Sequence, residues 1–141
     1  MQDADKEKIK KHYWLYVLKL EQHKYYVGIT AKTPERRYEQ HRNGYMAAQW
    51  TRKYKPLNLF DKKDLGYVTI ADAERYENKV VRTYIAKYGY NNVRGGDLSY
   101  NAEFVKRFGW YIVKDDWKNV VGVLFLMLTI ILLTIMYYMK K

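Results

Sequence analysis

Two short runs near the start of the chain are dominated by aromatic and branched residues. Residues 13–20 (YWLYVLKL) and 24–30 (KYYVGIT) have strand composition, and the polar break between them suggests a hairpin. Because 16 and 26 have the same parity, an even antiparallel register would place Tyr16 and Tyr26 on one face of the sheet. Thr33 followed by Pro34 then marks a helix start, with Thr33 as N-cap and Pro34 in the first turn; the helix should end near Gly44. Residues 47–54 suggest a short helix stopped before Pro56, and residues 57–60 and 67–70 two short strands. The main helix is expected over 71–88, closed by Gly89. Its apolar positions, Ala73, Tyr76, Val80, Val81, Tyr84, Ile85 and Tyr88, form one stripe. A mixed α and β class follows.

The pattern changes near the C-terminus. Residues 120–139 (VVGVLFLMLTIILLTIMYYM) carry no charge, and as a helix they would rise ~30 Å, the thickness of a bilayer core. Trp117, Tyr137 and Tyr138 lie at its ends, where membrane interfaces favour aromatic rings. A core helix of a soluble protein rarely stays apolar on every face for this length. The first residues, MQDADKEKIKKH, contain no apolar run of the signal-peptide kind. The expectation is a single-pass membrane protein with its N-terminal domain cytosolic and two lysines beyond the span. The chain thus divides into a polar tail (1–12), a folded domain (13–98), an amphipathic juxtamembrane connector (99–118), a transmembrane helix (119–139) and a basic tail (140–141).

Composition narrows the chemistry. With no cysteine there is no disulfide, thiolate metal site or thiol nucleophile, and three scattered histidines disfavour a multi-histidine zinc site. Lysine and arginine total 26 against 15 acidic residues, a net charge of +11 that suits a polyanionic partner, nucleic acid or an anionic membrane surface. Most of that charge stays with the folded part when the two terminal lysines are set aside.

If the polyanionic partner is a nucleic acid that the protein cleaves, the site needs a base to activate water, a cation to neutralise developing charge, and an anchored metal. Arg37 and His41, four apart, would project from one helix face, and an arginine can contact phosphate oxygens in bidentate fashion. The plainer reading is a solvated polar face. Glu77 falls on the ridge Ala73, Glu77, Val81, Ile85, which places a carboxylate on the face meant for the sheet. A buried lone carboxylate is costly unless it meets a cation, and hydrated Mg²⁺ would suit a single carboxylate; an edge glutamate paired with lysine is the alternative. Arg36, Arg42, Arg52, Lys53, Lys55 and Arg94 lie near these positions, with Trp50 and Tyr54 interleaved, as in a groove tracking a nucleic-acid backbone with aromatic walls. The same residues would equally make a solvated surface over a core tryptophan.

The segments WLYVL and YYVGIT, followed by ERRYEQH, AERYE and NNVRGG, resemble in order and spacing the motifs of the GIY-YIG endonucleases. The resemblance covers residues 13–96. Trp14-Leu15-Tyr16 stands where Gly-Ile-Tyr would, and the interval from Tyr26 to Arg37 is one residue longer than usual, at Lys32-Thr33. The resemblance implies an α+β fold with a small central antiparallel sheet flanked by helices, and a metal-dependent endonuclease using Mg²⁺ or Mn²⁺. Tyr16 would be the general base, acidified by neighbouring cations and metal-bound water, and Tyr26 would orient water or phosphate. Arg37 and His41 would complete the catalytic group, Glu77 would hold the metal, and Asn92 would bind near the phosphate or hold the active-site arrangement. DNA is the expected substrate, at or crossing the membrane, cut with low sequence specificity since no separate recognition module is present. RNA is the second enzymatic reading. The non-enzymatic rival is a membrane tether that binds nucleic acid or anionic lipid through the same basic surface.

Overall fold

The structure is a computed structural model that describes residues 9–100, 104–107, 110–113 and 116–139. Most of the charged N-terminal tail and the final lysine pair lie outside the described residues. The chain forms two compact units, residues 1–101 and 102–141.

In the first unit, strands β1 (Lys11–Leu20) and β2 (Tyr25–Thr30) form the expected hairpin, joined by a tight turn in which Gln22 and His23 adopt positive φ. The antiparallel register pairs Tyr16 with Gly28 and Leu18 with Tyr26, so Tyr16 and Tyr26 share a face. Helix α1 (Pro34–Arg42) starts where Thr33 accepts a hydrogen bond from the Arg36 amide, with Pro34 in the first turn. Helix α2 (Gln49–Lys53) is short.

Strand β3 (Pro56–Val68) differs from expectation. A single strand spans the polar DKKD stretch where two short strands separated by a break were expected. It lies at the sheet's edge and pairs antiparallel with β1 along its length, with three register shifts. An edge strand tolerates exposed charge because one flank meets solvent, and the irregularities absorb the mismatch. Gly66, at φ +69°, sits at one such shift. Thr69 caps helix α3 (Ile70–Tyr88) by accepting from the Asp72 amide, so 69–70 open a helix instead of closing a strand. Gly89, with φ +89°, ends α3. Strand β4 (Val93–Arg94) pairs with β2 in parallel, giving the order β3-β1-β2-β4 and a mixed sheet in place of a purely antiparallel one.

Strand alternation splits the core into two layers. Leu15, Val17, Tyr25 and Val27 pack with Val81 of α3 and Val93. Tyr16, Leu18 and Leu20 pack on the opposite face with Trp50 and Tyr54, and with Tyr26 and Tyr38 partly buried beside them.

In the second unit, β5 (Phe104–Arg107) and β6 (Trp110–Val113) pair as an antiparallel hairpin where an amphipathic connector was expected. Helix α4 (Asp116–Met139) follows. Its segment Val121–Met139 is long and apolar enough to cross a membrane, and none of it is buried. Thr129 and Thr134 donate to the carbonyls of Leu126 and Ile130, so both hydroxyls are satisfied within the helix.

Candidate active site

Strand β1 delivers Tyr16 to the face covered by α1 and α2, where two residues one turn apart on α1 meet it. The Tyr16 hydroxyl lies 2.9 Å from Nε2 of His41, and Nε of Arg37 donates to it at 3.3 Å. The Arg37 guanidinium also donates to Gln40 at 3.1 Å. Tyr26 closes the group, its ring centroid 6.3 Å from that of Tyr16 and 5.1 Å from that of His41. The spacing of Arg37 and His41 thus places both on the tyrosine face, and the polar-helix alternative does not hold for His41, which is 1% exposed.

The far side of His41 meets a residue that sequence reasoning missed. Nδ1 of His41 lies 2.8 Å from Oγ1 of Thr51, and that hydroxyl donates to the Ala48 carbonyl at 2.9 Å. A single threonine in a short helix gives no pattern, so no sequence signal identifies it.

Glu77 approaches from α3. It is 7% exposed, as its place on the apolar stripe implied, and its Oε1 accepts from the Gly96 amide at 3.1 Å. Beside it opens a cavity of about 430 Å³ lined by Tyr26, Glu74, Glu77, Asn78, Asp97 and neighbouring backbone. The loop forming one wall is clipped to α3: Asn78 accepts from the Asp97 amide at 2.9 Å, and Arg82 donates to the Asp97 carboxylate at 2.7 Å. A Cβ on Gly95 would stand 2.2 Å from the Val27 carbonyl oxygen, so only glycine allows this backbone approach, and one on Gly96 would stand 2.0 Å from Oδ1 of Asn78 and displace that side chain from its contact. Tyr26 connects the two halves, belonging to the Tyr16–His41 cluster and lining the Glu77 cavity.

Electrostatics follow from burial. Desolvation raises the Glu77 carboxyl to about 7; the Gly96 amide opposes this, and the carboxylates of Glu74 and Asp97 add to it. Burial lowers His41 to about 3, with the Arg37 charge adding to the effect, so the imidazole is neutral at physiological pH. Tyr26 is raised to about 12 by burial and by Glu77, with Arg37 opposing. Tyr16 is raised further, by burial first and Tyr26 second, and Arg37 only partly counters this. The expected acidification of Tyr16 therefore does not occur in the protein alone: desolvation outweighs the single neighbouring cation.

Other expected site residues fall elsewhere. Asn92 donates to the Tyr88 carbonyl at 2.8 Å and accepts from Lys24 at 3.0 Å. It sits past the C-terminal end of α3, which extends ~16 Å beyond Glu77. Arg94, expected on a nucleic-acid surface, is 1% exposed; it donates to the carbonyls of Tyr90, Val93 and Tyr100 and stacks 4.4 Å from the Trp50 ring centroid. Trp50 and Tyr54 are core residues and form no groove wall. Arg36, Arg42, Arg52, Lys53 and Lys55 are exposed, as a backbone-contacting surface requires.

The donor set fits a hydrated divalent cation. Glu77 keeps Oε2 clear of the Gly96 contact, it is desolvated, and the cavity beside it has room for an ion with its waters. Among the described residues no three histidine, cysteine or acidic side chains are grouped to enclose an ion, so water would supply most of the coordination.

A small mixed sheet that gathers two tyrosines, an arginine and a histidine beside a buried carboxylate belongs to the α+β class of domains. Residues 12–91 match the family described as the GIY-YIG catalytic domain, and the chain belongs to that family. Membership implies nuclease activity on nucleic acids. No curated protein and no solved structure matches the chain.

Proposed function

We propose that the protein is a metal-dependent DNA endonuclease of low sequence specificity, anchored in a membrane by α4 with its first unit on the cytosolic side. The observation that carries this reading is the buried, neutral-leaning carboxylate of Glu77 opening on a cavity shared with Tyr26, one ring away from Tyr16, His41 and Arg37.

In this reading Glu77 would hold Mg²⁺ or Mn²⁺, and the ion would supply neutralisation of phosphate charge. Tyr16 is the base. Its oxygen takes a proton from the attacking water while its own hydroxyl proton passes to Nε2 of His41, 2.9 Å away. The water oxygen bonds to phosphorus, the bond from phosphorus to the leaving oxygen breaks, that oxygen is protonated from solvent, and His41 then releases the proton it took to solvent. Arg37 covers the Tyr16 oxygen in the resting protein; turning its guanidinium to the phosphate both uncovers that oxygen and stabilises the transition state. Tyr26 orients the water or phosphate, and exposed Arg36, Arg42, Arg52, Lys53 and Lys55 hold the DNA backbone.

The test incubates the detergent-solubilised protein with supercoiled, linear and branched DNA, and with RNA, with and without Mg²⁺. The expected result is DNA cleavage that requires the ion and is lost in Glu77→Ala while DNA binding persists. Binding of DNA or anionic vesicles without turnover under any metal would establish the tether reading instead.

A further inference from the structure

The hydrogens of the Thr51–His41–Tyr16 chain can be placed one by one. The Thr51 hydroxyl has a single hydrogen, and it is directed at the Ala48 carbonyl, 2.9 Å away. Its oxygen can then only accept from Nδ1 of His41 at 2.8 Å, so Nδ1 carries the proton. The imidazole is neutral, which leaves Nε2 as a bare lone pair. The Tyr16 hydroxyl, 2.9 Å from Nε2, therefore donates to it, and its oxygen accepts from Arg37.

The reverse placement fails at the other end. If Thr51 donated to Nδ1, Nε2–H would point at Tyr16. The Tyr16 oxygen would then face two donors, Nε2 and Arg37, and its own hydrogen would have no acceptor within the hydrogen bonds it makes here. Tyr16 is 1% exposed, so leaving that hydrogen unmatched is costly.

We propose that Thr51 is a positioning residue that fixes the proton of His41 on Nδ1 and so keeps Nε2 bare toward the Tyr16 hydroxyl. Its role rests on the reading of Tyr16 as base. When the Tyr16 O–H bond breaks and the proton reaches Nε2, the imidazolium still donates through Nδ1–H to Thr51, and the Tyr16 oxygen, now carrying the proton taken from water, accepts from Nε2–H. Neither Thr51 nor the His41 ring has to reorient for this transfer. Thr51 is fully buried and its hydroxyl has both partners within 3 Å, a degree of constraint that a surface cap would not need.

The tautomer is read directly by long-range ¹⁵N–¹H correlation on the full chain in detergent micelles, with His41 identified by its disappearance in His41→Gln. The wild type is expected to show the proton on Nδ1. In Thr51→Val, which keeps shape and removes the acceptor, the spectrum should shift to a mixture or to Nε2–H, and Thr51→Ser should restore the wild-type pattern. In DNA cleavage, kcat should fall roughly tenfold or more in Thr51→Val with KM little changed, and recover in Thr51→Ser, by analogy with the outer partners of metal-bound imidazoles. A wild-type Nε2–H tautomer overturns the proposal without any variant, as does an unchanged tautomer in folded Thr51→Val. If the tautomer responds as stated while the wild type cleaves no nucleic acid, the placement stands and the reading of Tyr16 as base falls.

Discussion

Gly28 lies directly across the hairpin from Tyr16, and the place where its Cβ would stand is filled by the Tyr16 ring, with Cζ and the hydroxyl oxygen both 2.5 Å from that point. The glycine is required by space, since it lies within a regular strand. Gly28→Ala should push the phenol away from His41 and Arg37. We expect a stability loss of about 1–3 kcal/mol, the range for overpacking, and a much larger loss of cleavage. Thermal melts and a cleavage assay on the same preparation check this. Wild-type activity in Gly28→Ala would show that the Tyr16 position is not critical.

Glu77 should carry a stability penalty that the metal relieves. Its folded-state value of about 7 lies above the ordinary 4.5, so the folded protein binds a proton more tightly than the unfolded chain. That contribution is present below about 4.5 and is lost as pH rises through about 7. A shift of this size corresponds to roughly 3 kcal/mol as an upper figure. Glu77→Gln keeps an acceptor for the Gly96 amide without the charge. It should match the wild type near pH 4 and melt at higher temperature at pH 8 in the absence of divalent ions. Adding Mg²⁺ should raise the wild-type melting temperature and leave Glu77→Gln unmoved. Equal melting at pH 8, or an equal Mg²⁺ response, would remove Glu77 as a buried metal ligand.

His41 offers a separate pH test with the opposite sign. Its value is lowered from 6.5 to about 3, so the folded protein prefers the neutral ring. The stability this gives is present above 6.5 and is lost as pH falls toward 3. Proton NMR should show His41 unresponsive from pH 8 to 5, where an exposed histidine titrates. A midpoint near 6.5 would mean that the ring is hydrated and open.

How much of this was legible in the sequence depends on the distance over which each feature is decided. The hairpin, the Thr33 and Thr69 starts, the Gly89 stop and the apolar span are set by neighbours, and only the Thr69 start was misplaced, as the end of a strand. Tyr16 and Tyr26 share a face because their equal parity meets an even hairpin register, and Glu77 is buried because of its place on the α3 stripe. Features decided by contacts distant in the chain were missed. Thr51 matters only because α2 folds back over His41. Arg94 looked like a surface cation, yet three carbonyls and the Trp50 ring satisfy it inside the core. β3 crosses a polar stretch because β1 supplies its ladder. The rise in the Tyr16 value comes from burial, which a list of nearby cations does not reveal.

The basic residues should separate into two kinds. Arg94→Met keeps length and removes the donors, leaving buried carbonyls unmatched; a loss of about 2–4 kcal/mol in stability is expected. Arg52→Ala, at an exposed position, should change stability by less than about 0.5 kcal/mol. It should instead weaken DNA binding and lower the salt dependence by about one unit of slope. Urea melts and binding titrations at several salt concentrations distinguish them. An unchanged salt slope in Arg52→Ala, Lys53→Ala and Lys55→Ala alike would place the DNA path elsewhere.

The division of the chain predicts where activity and membrane attachment reside. Every proposed catalytic residue lies in the unit that ends at Asn101, and the apolar span lies in the other. A chain stopped after Asn101 should therefore remain soluble without detergent, keep its melting transition, and cleave DNA in a Mg²⁺-dependent manner. The full chain should stay in the membrane fraction after alkaline carbonate, because a span rising ~28 Å matches a bilayer core. Protease added outside intact cells or organelles should spare the first unit if it faces the cytosol. That orientation is favoured by Lys106, Arg107, Lys114 and Lys118 on the N-terminal side of the span. If the truncated chain folds but cleaves nothing, the second unit takes part in catalysis, for instance by bringing two copies together. The span supplies little for such pairing, since Gly122 is its single glycine and a GxxxG contact cannot form. Digestion of the first unit from outside would instead place the nuclease where it meets DNA before entry.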